Sequence, residues 1–316
     1  MRILLTGACG QVGGALQPRL AGFGTIIAPG HTDFDLSRPE GLGDALDALQ
    51  PDLIINPAAY TAVDRAEDER ELAFVINAKG PEMIAHWAAK HRVPLVHFST
   101  DYVFDGSGKT PWREDSPTGP LSVYGTTKLA GDIAIRATDC PHLIARTSWV
   151  YAAEGANFLR TIARLAGERK ELRIVADQIG APTTARTIAD IISGILRSNL
   201  SNLNEFFARK GGVVNLVCTG ETSWQGFASA IVAGLRSRGL RLEVERVAPI
   251  ATSDFPTKAM RPGNSRLDLS RLNEEFGMTT PTWQDALSVE LDDFVALQGQ
   301  ATRVEPADQL QRRAFS

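Results

Sequence analysis

The stretch Gly7-Ala8-Cys9-Gly10-Gln11-Val12-Gly13 lies between a strand pattern at residues 2–6 and a helical pattern at residues 11–21. Glycine allows a tight turn after a strand and lets another group come close to the backbone. The helix that follows presents free N–H groups and the positive end of its dipole. A glycine triplet means little alone, but placed at residue seven of a strand–turn–helix unit it predicts a phosphate-cradling loop. The alternative, a turn needed only for helix–strand packing, explains the glycines but not their position.

Outward from this loop, short apolar runs alternate with helical patterns through the first half of the chain. Strands are expected at 25–28, 53–56, 95–99 and 143–147, and helices at 39–48, 66–76, 81–91 and 125–136. Continuous apolar runs such as Leu53-Ile54-Ile55 suit strands buried on both faces. Their alternation with helices predicts an α/β, Rossmann-type, doubly wound parallel sheet with ligands at the carboxyl ends of its strands. After residue 150 the pattern loosens: a helix at 157–167, strands at 172–175 and 213–218, a helix at 185–197 and one opened by Ser223. The expected organisation is a dinucleotide-binding domain at 1–150, a smaller interleaved C-terminal lobe at 151–300 and a flexible tail at 301–316, where apolar periodicity is lost.

Composition narrows the class. An apolar fraction of 43% and a charged fraction of 22% predict a packed core. Net charge is −4 with no long basic block, so no nucleic-acid partner is expected. No apolar run approaches the ~20 residues of a membrane span, and the first residues read straight into a strand without a signal-peptide stretch. Cys9, Cys140 and Cys218 are odd in number and far apart, which predicts free thiols and a cytoplasmic chain.

Tyr124-Gly125-Thr126-Thr127-Lys128 sets a phenol and an ammonium four residues apart, on one face of a helix. A phenol titrates too high for acid–base work at neutral pH, and a neighbouring cation is expected to lower its pKa. The spacing is common by chance. Ser99-Thr100-Asp101, at the end of the strand expected at 95–99, brings a hydroxyl to the same sheet edge and makes a proton-transfer site the better explanation. After the second strand, Ala28-Pro29-Gly30-His31 offers neither the acid nor the arginine that distinguishes the nicotinamide cofactors, so NADPH and NADH both stay open.

The glycine loop, the hydroxyl after the fourth strand and the Tyr-Lys pair resemble the extended short-chain dehydrogenase/reductase superfamily. More narrowly, the glycine loop, Ala59-Tyr60-Thr61-Ala62-Val63-Asp64, Ser99-Thr100-Asp101-Tyr102-Val103-Phe104 and Val123-Tyr124-Gly125-Thr126-Thr127-Lys128 resemble the dTDP-4-dehydrorhamnose reductases. So do Arg146-Thr147-Ser148-Trp149-Val150-Tyr151, Asp177-Gln178-Ile179-Gly180-Ala181-Pro182-Thr183 and Arg261-Pro262-Gly263-Asn264-Ser265-Arg266; the blocks span residues 1 to about 290. The resemblance implies hydride transfer from NADPH or NADH to C4 of dTDP-4-dehydro-L-rhamnose. It makes Tyr124 the proton donor, Lys128 the ribose-binding cation and Thr100 a donor to the developing alkoxide.

The same resemblance assigns Gly7, Gly10, Gln11 and Val12 to the pyrophosphate, Asp35 and Leu36 to the adenosine end, and Ala59, Tyr60 and Thr61 to the middle of the cofactor. Asp101, Trp149, Val63 and Arg261 would meet the nucleotide sugar, although Trp149 also suits a core position, Val63 loop packing and Arg261 a solvated loop. Some members bind a divalent metal such as Mg through acids at positions occupied here by Ala15 and Arg186, so no metal site and a monomer or weak homodimer are expected. Two other activities share much of this pattern: a non-catalytic subunit like the regulatory beta subunit of methionine adenosyltransferase, and a nucleotide-sugar epimerase or dehydratase.

Overall fold

The computed structural model describes residues 1–304, with side chains through residue 299. Beyond Val304, the tail expected at 301–316 lies outside the described residues. Strands β1 (Arg2–Leu5), β2 (Thr25–Ile27), β3 (Leu53–Asn56), β4 (Leu95–Thr100) and β5 (His142–Thr147) alternate with helices α1 (Gln11–Leu20), α2 (Leu42–Leu49), α3 (Val63–Ala66), α4 (Arg70–Phe74), α5 (Gly80–His91) and α6 (Val123–Arg136). Then follow β6 (Val150–Tyr151), α7 (Phe158–Glu168), β7 (Glu171–Val175), β8 (Ile179–Gly180), β9 (Thr183–Thr184), α8 (Ala185–Ser198), α9 (Leu203–Lys210) and β10 (Gly212–Asn215). The described chain closes with β11 (Thr222–Ser223), α10 (Trp224–Ser237), β12 (Arg246–Ile250), β13 (Asn264–Ser265), α11 (Ser270–Phe276) and α12 (Trp283–Val304).

Six strands form the central sheet in the order β10-β5-β4-β3-β1-β2, and every pairing is parallel. Strand alternation sends Ile3, Leu5, Leu53 and Ile55 to one face, where they pack with Leu16 and Leu20 of α1 and Ile188 and Ile192 of α8. Leu4, Ile54, Leu95 and Ile144 turn to the other face, against Leu42 and Leu46 of α2 and Ile84 and Ala88 of α5. Both faces are therefore apolar, which explains the continuous runs in these strands. The sheet is doubly wound, as expected, and its order reverses between β1 and β3.

The strand expected at 213–218 is β10, shorter and starting at Gly212, and it extends the first sheet beside β5. A separate apolar cluster joins α7, α10 and α12 through Leu159, Ile162, Phe227, Ile231, Leu287 and Leu291. The helix expected at 66–76 does not form as one piece. Instead α3 and α4 lead into a wide π turn, Val75–Lys79, which runs into α5. Pro81 in the first turn of α5 supplies no N–H, so a regular helix cannot pass through it without losing a hydrogen bond.

Helix starts in the site region are set by side-chain caps. Ser122 accepts from Gly125 N at 3.2 Å and starts α6 two residues earlier than expected, so Tyr124 lies in its first turn. Asn157, Thr184 and Ser223 cap α7, α8 and α10 in the same way.

Candidate active site

The carboxyl ends of the parallel strands bring most of the predicted residues to one edge. Gly7, Gly10, Gln11 and Val12 follow β1, Ala59, Tyr60 and Thr61 follow β3, and Thr100 and Asp101 close β4. Tyr124 and Lys128 lie one turn apart on α6, and Trp149 follows β5. The glycine loop is tight. Gly7 has φ +55°, and a Cβ on Gly13 would stand 2.1 Å from the Gly7 carbonyl oxygen. Gly10 caps α1 without any side-chain hydrogen bond, and the first turn holds no acid, so no side chain competes for its positive end.

Tyr60 is held from two sides. Its N–H donates to Asn77 Oδ1 at 2.8 Å and its carbonyl accepts from Asn77 Nδ2 at 3.1 Å, while its hydroxyl donates to Glu69 at 2.6 Å. Asn77 sits on the π turn and also reaches Thr127 of α6, at 3.1 Å. One buried amide thus fastens the β3 loop to the Tyr-Lys helix.

Thr100 Oγ1 donates to Asp101 Oδ1 at 3.0 Å and accepts from Tyr102 N at 3.2 Å. The Tyr124 phenol lies close to Thr100, and its ring meets Tyr102 edge-on at 5.4 Å. Burial pushes the Tyr124 pKa up, Thr100 opposes the shift, and Asp101 and Asp132 add to it. The phenol is therefore held protonated, opposite to the lowering expected from Lys128. Lys128 is itself buried, with Nζ 3.1 Å from His97 Nε2. Burial lowers its pKa to about 8 against the pull of Asp132.

Asp101 is 1% exposed and its Oδ2 makes no hydrogen bond of normal geometry, although Ser265 lies near enough to favour the carboxylate. Burial wins and raises its pKa to about 6. A carboxyl whose folded pKa exceeds its unfolded value destabilises the fold increasingly as pH rises through that window, with the full cost above the folded value. Asp101→Asn is accordingly expected to be more stable than the parent at pH 8, by on the order of 1–3 kcal/mol, with the gain roughly halved at pH 5 and lost only below the ordinary carboxyl value of 3.8. Urea unfolding at the two pH values measures this.

Trp149 adopts φ +49° and stacks on Trp224 at 3.7 Å, half-buried. A Cβ on Gly180 would lie 2.9 Å from its ring, so the glycine leaves the indole its place. Arg261 Nη2 pairs with Asp64 Oδ2 at 2.6 Å, beside half-buried Val63, which opens α3. The arginine ties the 251–263 loop to α3. Asp35 spends Oδ1 on the Ser37 N–H and hydroxyl, which hold its pKa low, and Leu36 is core, 3.2 Å from where a Gly80 Cβ would stand. Ala15 lies half-buried on α1 against the sheet core. Arg186 meets Glu290 at 3.2 Å and also pairs with Asp293, so a fixed cation already faces these two acids.

Sequence reasoning missed Asn56, Asn77, His97 and Asp132. Each lies inside an element that reads as apolar core or as helix, and only the fold turns them toward the site.

A parallel αβ sheet with a glycine loop after β1, a threonine closing β4 and a Tyr-Lys pair on α6 defines an oxidoreductase of the short-chain dehydrogenase/reductase class. Residues 1–296 match the family model described as RmlD substrate binding domain. The chain is 44% identical over 300 residues to dTDP-4-dehydrorhamnose reductase of Burkholderia thailandensis, covering 94% of this chain and 100% of that one. With the enzyme of that name from Escherichia coli it shares 43% over 298 residues, or 93% and 98% of the two chains. The structure superimposes with a TM-score of 0.83 on a dTDP-4-dehydrorhamnose reductase from Bacillus anthracis in complex with NADP, at 32% identity and covering 92% and 99% of the chains. The chain belongs to the dTDP-4-dehydrorhamnose reductase family.

Proposed function

We propose that this chain reduces the C4 ketone of dTDP-4-dehydro-L-rhamnose to dTDP-L-rhamnose, using NADPH or NADH. One observation carries the chemistry: a phenol kept protonated by burial, beside Thr100 at the sheet edge and one helical turn from a buried lysine. A protonated phenol is the form a reductase needs, because the ketone oxygen must receive a proton as charge develops on it.

The glycine loop fits a dinucleotide. Its backbone is bare where a Cβ on Gly13 would collide, and the N-terminus of α1 is free of side-chain caps and acids. When bound, the nicotinamide supplies the hydride. Gly7, Gly10, Gln11 and Val12 would hold the pyrophosphate, and Ala59, Tyr60 and Thr61 would line its middle. Asp35 and Leu36 border the adenosine end through backbone and shape, since the Asp35 carboxylate is already engaged. Lys128 would bind the ribose. Thr100 would turn its hydroxyl from Asp101 to the oxygen that Tyr124 protonates as charge develops there. Asp101, Trp149 and Val63 would face the sugar, and Arg261, neutralised in part by Asp64, would guide the diphosphate.

With Arg186 already paired to Glu290 and Asp293, activity is assigned to a metal-independent monomer or weak homodimer. The test is nicotinamide oxidation. One equivalent of NADPH or NADH should be consumed per equivalent of dTDP-4-dehydro-L-rhamnose, with dTDP-L-rhamnose identified by NMR. Turnover of sugar without net cofactor oxidation would instead identify an epimerase, and no turnover a binding subunit.

A further inference from the structure

A chain of buried polar groups runs behind the site, from strand to strand. Thr6 Oγ1 lies 2.6 Å from Asn56 Oδ1, Asn56 Nδ2 lies 3.2 Å from His97 Nδ1, and His97 Nε2 lies 3.1 Å from Lys128 Nζ. Thr6 also accepts from Ala58 N at 3.3 Å. Asn56 is 1% exposed, His97 is 0% and Lys128 is 2%, so the chain is closed to bulk solvent.

A neutral imidazole has one N–H and one lone pair. If Lys128 is an ammonium, Nε2 must accept, and the proton sits on Nδ1, which needs an acceptor from Asn56. If Lys128 is an amine, Nε2–H donates to it and Nδ1 accepts from the Asn56 amide. Half a turn of that amide exchanges the two patterns, and Thr6, whose hydroxyl both donates and accepts, satisfies either end. Every contact stays donor to acceptor, and the net change is the loss of one proton.

Resting on the reductase activity proposed above, we propose that His97 is a positioning residue: an imidazole neutral in both states, whose tautomer follows the charge of Lys128 and holds Nζ in one place. Burial keeps the ring neutral by lowering its pKa well below the usual value, assisted by Lys128 and His142, while the Asn56 backbone opposes. The charged and titratable groups around the pair are Asp132 and Tyr124 on α6, and Arg146 and His142 on β5. Among them Asp132 favours the ammonium.

The chain has five histidines, so ¹⁵N-histidine NMR of the intact protein can follow His97, assigned by its loss in His97→Gln. Between about pH 6.5 and 9.5 the His97 signals should change from Nδ1–H to Nε2–H without passing through the imidazolium. In parallel, His97→Phe should lose about tenfold in kcat near pH 8. Its high-pH limb should fall about one pH unit earlier, the scale of one lost hydrogen bond to a charged group. KM for the nicotinamide should rise over the same pH range, because Lys128 would bind the ribose, while KM for the sugar should change little. His97→Gln, whose amide can accept or donate at the Nε2 position, should restore most of the profile. A tautomer that stays constant while Lys128 titrates overturns the inference, as does a wild-type pH profile in His97→Phe. Should the Phe variant not fold, the wild-type spectra decide. A wild-type protein that fails to oxidise NADPH with the sugar would refute the proposed activity, while the tautomer change would still be read from the spectra.

Discussion

Tyr124→Phe is expected to cut kcat by about 10²-fold or more while leaving nicotinamide affinity near the wild-type value. The phenol is half-buried, edge-on to Tyr102 at 5.4 Å, so phenylalanine keeps the packing and loses only the hydroxyl. That hydroxyl lies close to Thr100 and carries a proton whose pKa burial has raised. The ketone oxygen then has only Thr100 as donor, which can stabilise developing charge but cannot supply the proton as readily. Loss confined to kcat, with KM for both substrates little changed, is the signature of an interaction made in the transition state. The raised phenol pKa sets the pH dependence. Acid function is present at neutral pH and should decline only on the alkaline side, where Lys128, at about 8, is the first of the two groups to titrate. Turnover near the wild-type rate would remove Tyr124 from the mechanism.

The parts of this site that were legible in the sequence are those whose chemistry is local. The loop from Gly7 to Gly13 needs glycine because its own backbone folds against itself, the Gly13 position meeting the Gly7 carbonyl. Tyr124 and Lys128 are one helical turn apart whichever helix they occupy. By contrast, His97 sits in Leu95-Val96-His97-Phe98, a stretch that reads as buried strand, and nothing local says that Lys128 will lie against it. Asn77 is hidden for a related reason: its turn is π-helical, and a periodicity of ordinary helix does not show which way its amide points. The strand Gly212–Asn215 was visible as a strand, but its place beside β5 rests on pairing with residues 69 positions earlier, Gly212 with Leu143 and Asn215 with Arg146. Asp35 was visible as an acid; that Ser37 occupies its Oδ1 is a property of the turn.

Arg146→Met should cost about 3–5 kcal/mol of stability, although Arg146 touches no predicted ligand. The residue is 1% exposed, and its Nε lies 3.3 Å from Asp132 Oδ2, which also accepts from Ser99 at 2.8 Å. Its Nη1 donates to the Glu114 carbonyl at 3.2 Å, and its guanidinium lies 5.2 Å from the Phe104 ring centroid. Methionine would fill much of the volume but leave Asp132, fully buried, with Lys128 as its remaining counter-charge. Domains have only ~5–15 kcal/mol in total, so a large share would go. The Asp132 pKa is already raised by burial, with Arg146 the first group opposing it. Without Arg146 it should rise further, so the destabilisation should be full at pH 8 and shrink as pH falls and the carboxyl takes up a proton. Arg146→Met with Asp132→Leu should recover most of the loss, because the cost comes from the orphaned charge more than from the missing pair. The double variant should still reduce the sugar poorly, since Lys128 would lose the carboxylate that favours its ammonium. Urea unfolding at both pH values, with kcat of the double variant, separates the two effects. A single variant within about 1 kcal/mol of wild type at pH 8 would show that this buried pair does not support the site.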